Sequence, residues 1–231
     1  MRVAISIALI GLTSFACAGR FFFGSPRLSK TDYTISGDST WSNTLGTNTA
    51  QAVATSKATF TLVPGSNRSQ LSHAVGCMSY EFDVFFSETV EGEGQPGLVL
   101  LSRVVEGSVF GSISTTGGSG TPNSGYLEFD SRIGHGINDS SAATYNVNYP
   151  SGAWPLSISM NSGKVYREYP ARFEGGWILV KSGKGLRTWK RTIPFMAPEI
   201  KAQANAYLTG FFPYKPEVNA KTTMQLKLEI D

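Results

Sequence analysis

Cysteine and histidine are both scarce. The 231-residue chain has only Cys17 and Cys77, and only His73 and His135. With Cys17 in an N-terminal leader, Cys77 has no intramolecular disulfide partner and forms no thiolate zinc site. The expected role of Cys77 is that of a small apolar residue in the interior. Two histidines leave little material for a Ser-His-Asp triad or a histidine metal site, so no metal and no cofactor is expected. Charge runs are missing too. Without Arg2, 19 Lys and Arg stand against 17 Asp and Glu, scattered along the chain. That pattern implies neither a nucleic-acid partner nor an anionic membrane surface. No stretch beyond residue 18 is apolar enough to span a bilayer.

What the sequence does carry begins with its first 18 residues. Arg2 and the amino terminus give positive charge, residues 3–12 form an apolar run, and Ala16-Cys17-Ala18 closes it with small side chains. These are the three parts of a secretory signal peptide, and an apolar core of about ten residues is too short to anchor in a membrane. Lipidation of Cys17 is the competing reading; Ser14 and Phe15 fit it poorly. The expectation is a leader over 1–18 and one domain over 19–231, secreted and monomeric. Asn67-Arg68-Ser69 and Asn138-Asp139-Ser140 are glycosylation sequons, meaningful only in a eukaryotic host.

Period-2 alternation recurs while helical periodicity is rare. In the closing segment Met224, Leu226, Leu228 and Ile230 share one parity, and Thr223, Gln225, Lys227 and Glu229 the other. This pattern marks a strand with one face on a core and one in water. Similar strands are expected over 58–63, 80–87, 98–105, 126–132, 144–149, 156–160 and 177–181. Residues 198–208 alternate at Ala204, Ala206 and Leu208, though Ile200, Ala204, Tyr207 and Leu208 also make a helical stripe; strand is the assignment. Turns are expected at Pro64-Gly65, at 117–120, at Gly134-His135-Gly136, at Asn161-Ser162-Gly163 and at Ser182-Gly183. Residues 21–28 read as an edge strand or an arm. With 25 glycines and 12% aromatic residues, the chain reads as an all-β protein, a jelly-roll β-sandwich of mostly antiparallel strands.

The order of landmarks resembles polysaccharide lyase family 14 and the related glucuronan lyases, which are secreted jelly rolls. The matching pieces are Thr59-Phe60-Thr61-Leu62-Val63-Pro64-Gly65-Ser66, Ser79-Tyr80-Glu81-Phe82-Asp83-Val84-Phe85-Phe86, Gln95-Pro96-Gly97-Leu98 and Tyr207-Leu208-Thr209-Gly210-Phe211-Phe212, followed by Pro216 and the final strand. The resemblance implies a glycan groove on one sheet, an acidic polysaccharide as partner, and cleavage by β-elimination. It also implies a loop lysine where Gly94 stands, and a Tyr-x-Tyr pair where Asn146 and Asn148 stand. Such a lyase needs a base for the C5 proton and an acid for the leaving oxygen. Asparagine hydrogen-bonds a carboxylate but does not serve as that base, so whether the chain is an enzyme stays open.

Strand parity gives a test of its own. If Leu127 and Phe129 face the core, Tyr126, Glu128, Asp130 and Arg132 face away. If Val147 faces inward, Asn146 and Asn148 turn outward. Pairing around the glycine turn then gathers Tyr126, Glu128, Asp130, Arg132, Asn146 and Asn148 on one sheet face, with His135 at its flank. These seven are the candidate substrate-binding residues; an ordinary solvated face is the alternative. Glu128 and Asp130 stand at i and i+2, about 6–7 Å apart by strand geometry. That arrangement resembles secreted β-sandwich glycosidases, but Arg132 occupies the place of their further acid and is expected to ion-pair with Asp130. Among the tryptophans, Trp177 is expected in the core and Trp154 on the surface. A non-catalytic structural or adhesive role is the other reading: Val218-Asn219-Ala220 before an alternating strand resembles assembled pilus subunits, without their cysteine pair.

Overall fold

A computed structural model describes residues 19–89, 94–118, 120–134, 141–149 and 155–230. The leader and His135 lie outside the described residues, as do Asn138 and Trp154. Thirteen strands account for most of the chain: β1 Arg20–Phe23, β2 Arg27–Ser36, β3 Asp38–Leu45, β4 Thr49–Thr59, β5 Ser66–Thr89, β6 Leu98–Thr116, β7 Ser124–Ile133, β8 Ser141–Tyr149, β9 Ser157–Glu174, β10 Ile178–Gly183, β11 Leu186–Met196, β12 Ile200–Gly210 and β13 Lys215–Ile230. There is no helix among the described residues, and so none long and apolar enough to cross a membrane.

The strands form a β-sandwich of two antiparallel sheets. The small sheet runs β3-β4-β13-β6-β9. The large sheet is built around β5, whose 24 residues are long enough to carry two partners end to end on each side. On one side β12 pairs with Ser66 to Gly76 and β11 with Ser79 to Thr89. On the other side β2 covers the middle of β5 and β1 covers Val84 to Ser87. β7 and then β8 extend the sheet beyond β12, and β10 beyond β11. The large sheet therefore divides where β11 gives way to β12, at residues 197–199.

Alternation explains the core. In β5 the even positions from Ser72 to Glu88 point inward, and Met78, Tyr80, Phe82, Val84 and Phe86 are fully buried. Leu127, Phe129 and Ile133 do the same in β7 and join one core cluster with Val109 and Ile113 of β6 and Met224 of β13. The inner faces of β4 and β12 are lined by alanine instead: Ala50, Ala52, Ala54 and Ala58 on one, Ala202, Ala204 and Ala206 on the other. With so little side chain between them, hydroxyls of one sheet reach carbonyls of the other. Ser56 Oγ donates to Ala202 O at 2.7 Å, Thr222 Oγ1 to Lys201 O at 2.6 Å, and Ser131 Oγ to Phe110 O at 2.6 Å. Each is a buried polar group satisfied across the interface. Gly37 takes the chain from β2 in one sheet to β3 in the other at φ +64°, where a Cβ would lie 2.4 Å from Ser72 Oγ.

Several strand expectations change in extent. Residues 60–65 lie outside any strand, so the segment expected at 58–63 ends at Thr59. Asn161-Ser162-Gly163 is not a turn: β9 runs through it, with a register shift opposite Gly107 and Val109 of β6, the local signature of a bulge. Residues 198–208 are strand rather than helix from Ile200 onward, and residues 21–28 fall in the edge strands β1 and β2. Cys77 is half-buried on the outer face of β5, not in the core.

Candidate functional site

The expected parity holds in β7 and β8. Leu127, Phe129 and Ile133 are buried, which turns Tyr126, Glu128, Asp130 and Arg132 to the outer face of the large sheet. Glu128 pairs with Asn146 and Tyr126 with Asn148, so both asparagines stand on that same face. Six of the seven expected residues are thus brought together.

The register adds two further strands. From β8 through β7 and β12 to β5, four rows cross the face: Asn148–Tyr126–Tyr207–Ser69, Asn146–Glu128–Asn205–Leu71, Thr144–Asp130–Gln203–His73 and Ala142–Arg132–Lys201–Val75. With strands about 4.8 Å apart and about 6.8 Å between alternate residues, the patch spans roughly 15 by 20 Å. Tyr207, Asn205, Gln203, Lys201 and His73 were missed from the sequence. The signal for the four on β12 was the alternation of that strand, whose odd residues face out because the even alanines face in; for His73 it was the same alternation in β5.

At the centre of the patch one carboxylate is closed off by two cations. Asp130 is only 4% exposed although it stands on the solvent side, because two long cations lie over it. Arg132 Nε is 2.6 Å from Asp130 Oδ1 and Lys201 Nζ is 2.8 Å from Asp130 Oδ2. The expected Asp130–Arg132 pair is present, and Lys201 completes it. A carboxylate held from both sides is poorly placed to attack a sugar or to activate water beside Glu128, so the two-carboxylate glycosidase arrangement is not assembled. Glu128 takes a long contact from Gln203 Nε2, 3.5 Å. Burial pushes the Tyr126 phenol up to about 12, reinforced by its hydrogen bond to Glu128 and the charges of Glu128 and Asp130. That phenol is protonated at neutral pH and serves as a donor, not as a base. Arg132 keeps a half-exposed side chain, and its two terminal nitrogens have no hydrogen-bond partner among the described residues.

Beyond Tyr207 the face ends in a shallow cavity of about 230 Å³, lined by Asn67, Asn123, Thr209 and Phe211 among others. Phe211 is 69% exposed there. The aromatic surface on this side therefore comes from tyrosine and phenylalanine. Trp177 is buried as expected, Trp189 donates from its Nε1 to Glu88 at 3.3 Å, and Trp41 stacks on Tyr33 at 5.5 Å. Gly94, where the lyase resemblance leads one to expect a lysine, gives its backbone N–H to Glu88, 3.2 Å. Among the described residues no group of three or more His, Cys, Asp and Glu side chains is arranged to hold a metal ion. No protein-family model matches the chain, and no curated protein matches it.

Proposed function

We propose that the protein is an extracellular polysaccharide-binding β-sandwich that holds a uronate-containing chain on the outer face of its large sheet without cleaving it. The observation that carries this reading is the register that sets Tyr126 directly opposite Tyr207, flanked by the amides of Asn148, Asn146, Asn205 and Gln203. Aromatic rings offer sugar rings a flat apolar surface, and planar amides match the paired donors and acceptors of neighbouring hydroxyls. Arg132 supplies the uncommitted guanidinium donors for a uronate carboxylate. Reading the sandwich as a jelly roll belongs to the same proposal; its support is the repeated passage of the chain between the two sheets. The extracellular setting rests on the leader over 1–18.

β-Elimination is left out because the residues that the lyase resemblance implies for the proton transfers are missing. Asn146 and Asn148 stand where a tyrosine pair would, Lys201 is committed to Asp130, and Tyr126 holds its proton. Electrophoresis through gels containing alginate, glucuronan or a neutral glucan tests the reading. Retardation by the uronate polymers, relieved in an Arg132→Gln variant, is the expected result. Equal migration in all three gels would remove it.

A second reading, a structural or adhesive protein, is favoured by one observation. Edge strand β10 exposes Ile178, Leu179 and Val180 in succession, and an exposed apolar edge is a template for strand addition. Sedimentation analysis separates the two: concentration-dependent assembly abolished by Val180→Lys supports the second reading, and a monomer at all concentrations counts against it.

A further inference from the structure

The inner face of the small sheet carries one residue that the register places among apolar neighbours and that nothing there neutralises. Arg103 follows the inward parity of Val99, Leu101 and Val105 on β6 and pairs with the fully buried Leu228 of β13 on one side and with Tyr169 of β9 on the other. Its guanidinium lies 6.0 Å from the Phe195 ring centre. Its Nε is buried without a hydrogen bond, and no hydrogen bond or ion pair reaches the Arg103 side chain among the described residues. An arginine stays charged at any ordinary pH, and a cation facing an apolar interior without a counter-ion is costly.

Next to it the sandwich is open. Where the large sheet divides between β11 and β12, a cavity of about 250 Å³ is lined by Arg103, Val105, Tyr169, Phe195, Met196 and Pro198. Phe195 is buried at its base, and Tyr169 and Met196 are exposed at its rim. One cation against aromatic and aliphatic walls is the composition of a small-ligand site, with the charge fixing orientation and the walls supplying apolar contact.

We propose that this inter-sheet cavity binds a small carboxylate carried on an apolar or aromatic body, with the carboxylate on Arg103 and the body between Phe195, Val105 and Tyr169. The site is separate from the outer face of the large sheet and does not depend on the glycan reading. Both the charge and the walls are required, so neither half of the ligand alone suffices.

The test uses the full chain with benzoate, benzyl alcohol (the ring without the charge) and acetate (the charge without the ring). Thermal melting and the Arg103 Nε–H resonance in ¹⁵N-labelled protein are followed. Benzoate is expected to raise Tm and shift that resonance, with benzyl alcohol at least about tenfold weaker for want of a charged hydrogen bond and acetate at least about tenfold weaker for want of the buried ring. Arg103→Met is expected to melt no lower than the wild type, since it removes an uncompensated inward charge, and to lose the benzoate response. Tyr207→Ala on the outer face is expected to keep that response. The proposal is overturned if benzoate leaves both Tm and the Arg103 resonance unchanged, if acetate matches benzoate, or if R103M keeps the benzoate shift. Should R103M fail to fold, the wild-type resonance decides alone: no movement with benzoate refutes the site.

Discussion

Lys201 of β12 places its Nζ 2.8 Å from the carboxylate of Asp130 on β7, and so ties together two strands that are 71 positions apart in sequence at that point. Arg132 holds the other oxygen of the same carboxylate. The arrangement turns a pair of outward carboxylates into one closed ion cluster and one remaining acid, Glu128. It thereby gives the face a structural lock where a hydrolase would need an accessible acid.

Replacing Lys201 by Met should therefore weaken folding rather than remove a catalytic group. With one of its two cations gone, Asp130 loses a charged hydrogen bond in a nearly buried position, at a cost of about 1–3 kcal/mol. Urea denaturation at neutral pH measures this. A variant as stable as the wild type would show that the pair contributes nothing.

Tyr207 and Tyr126 are expected to act through their rings. Tyr207→Ala should weaken glycan retention by about tenfold, the scale of a central aromatic anchor, while Tyr126→Phe keeps the ring and most of the retention. Affinity electrophoresis in alginate reads both. Loss in Y126F equal to that in Y207A would assign the contribution to the hydroxyl instead.

The site was half legible in the sequence. Parity in β7 and β8 is local, since Leu127 and Phe129 fix where Tyr126, Glu128, Asp130 and Arg132 point, so the two-strand core of the patch could be read directly. Lys201, Gln203, Asn205 and Tyr207 could not be attached to it, because pairing of β12 with β7 is a long-range choice that alternation does not encode. The length of β5 was hidden for a related reason. Gly76 and the small residues around it look like an interruption, yet Gly76 sits inside the strand where a Cβ would lie 2.4 Å from Cβ of Tyr33 on β2. Asn161-Ser162-Gly163 misleads in the opposite sense, as turn-forming residues placed in a bulge.

Acid stability should depend on Asp83. Burial alone would raise this carboxyl, but hydrogen bonds from Lys190 and Thr192 and the charges of Arg27 and Lys190 outweigh it and hold it below the usual carboxylate range. A depressed folded value means that the ionised form is the one favoured by folding. Its contribution is full above the unfolded value of about 4 and is lost as pH falls through the lower folded one. Asp83→Asn should thus lower Tm at neutral pH and flatten the acid limb of a Tm–pH curve. An unchanged limb would contradict the assignment.

The closeness of the sheets is testable at Gly111. A Cβ built there would fall 1.9 Å from the Phe129 ring, which is fully buried in the opposite sheet. Gly111→Ala should cost about 1–3 kcal/mol through overpacking, measured by chemical denaturation. A neutral effect would mean that Phe129 has room to move.

Calorimetric titration of alginate and glucuronan into the protein, with the absorbance of the unsaturated product followed alongside, separates binding on the outer face from β-elimination there. Heat of binding is expected with at least one of the two polymers, diminished in Tyr207→Ala, with no rise in absorbance. A rise in absorbance with either polymer would show that Glu128, His73 or another group of the face takes the C5 proton, and the absence of binding to both would remove the glycan site itself.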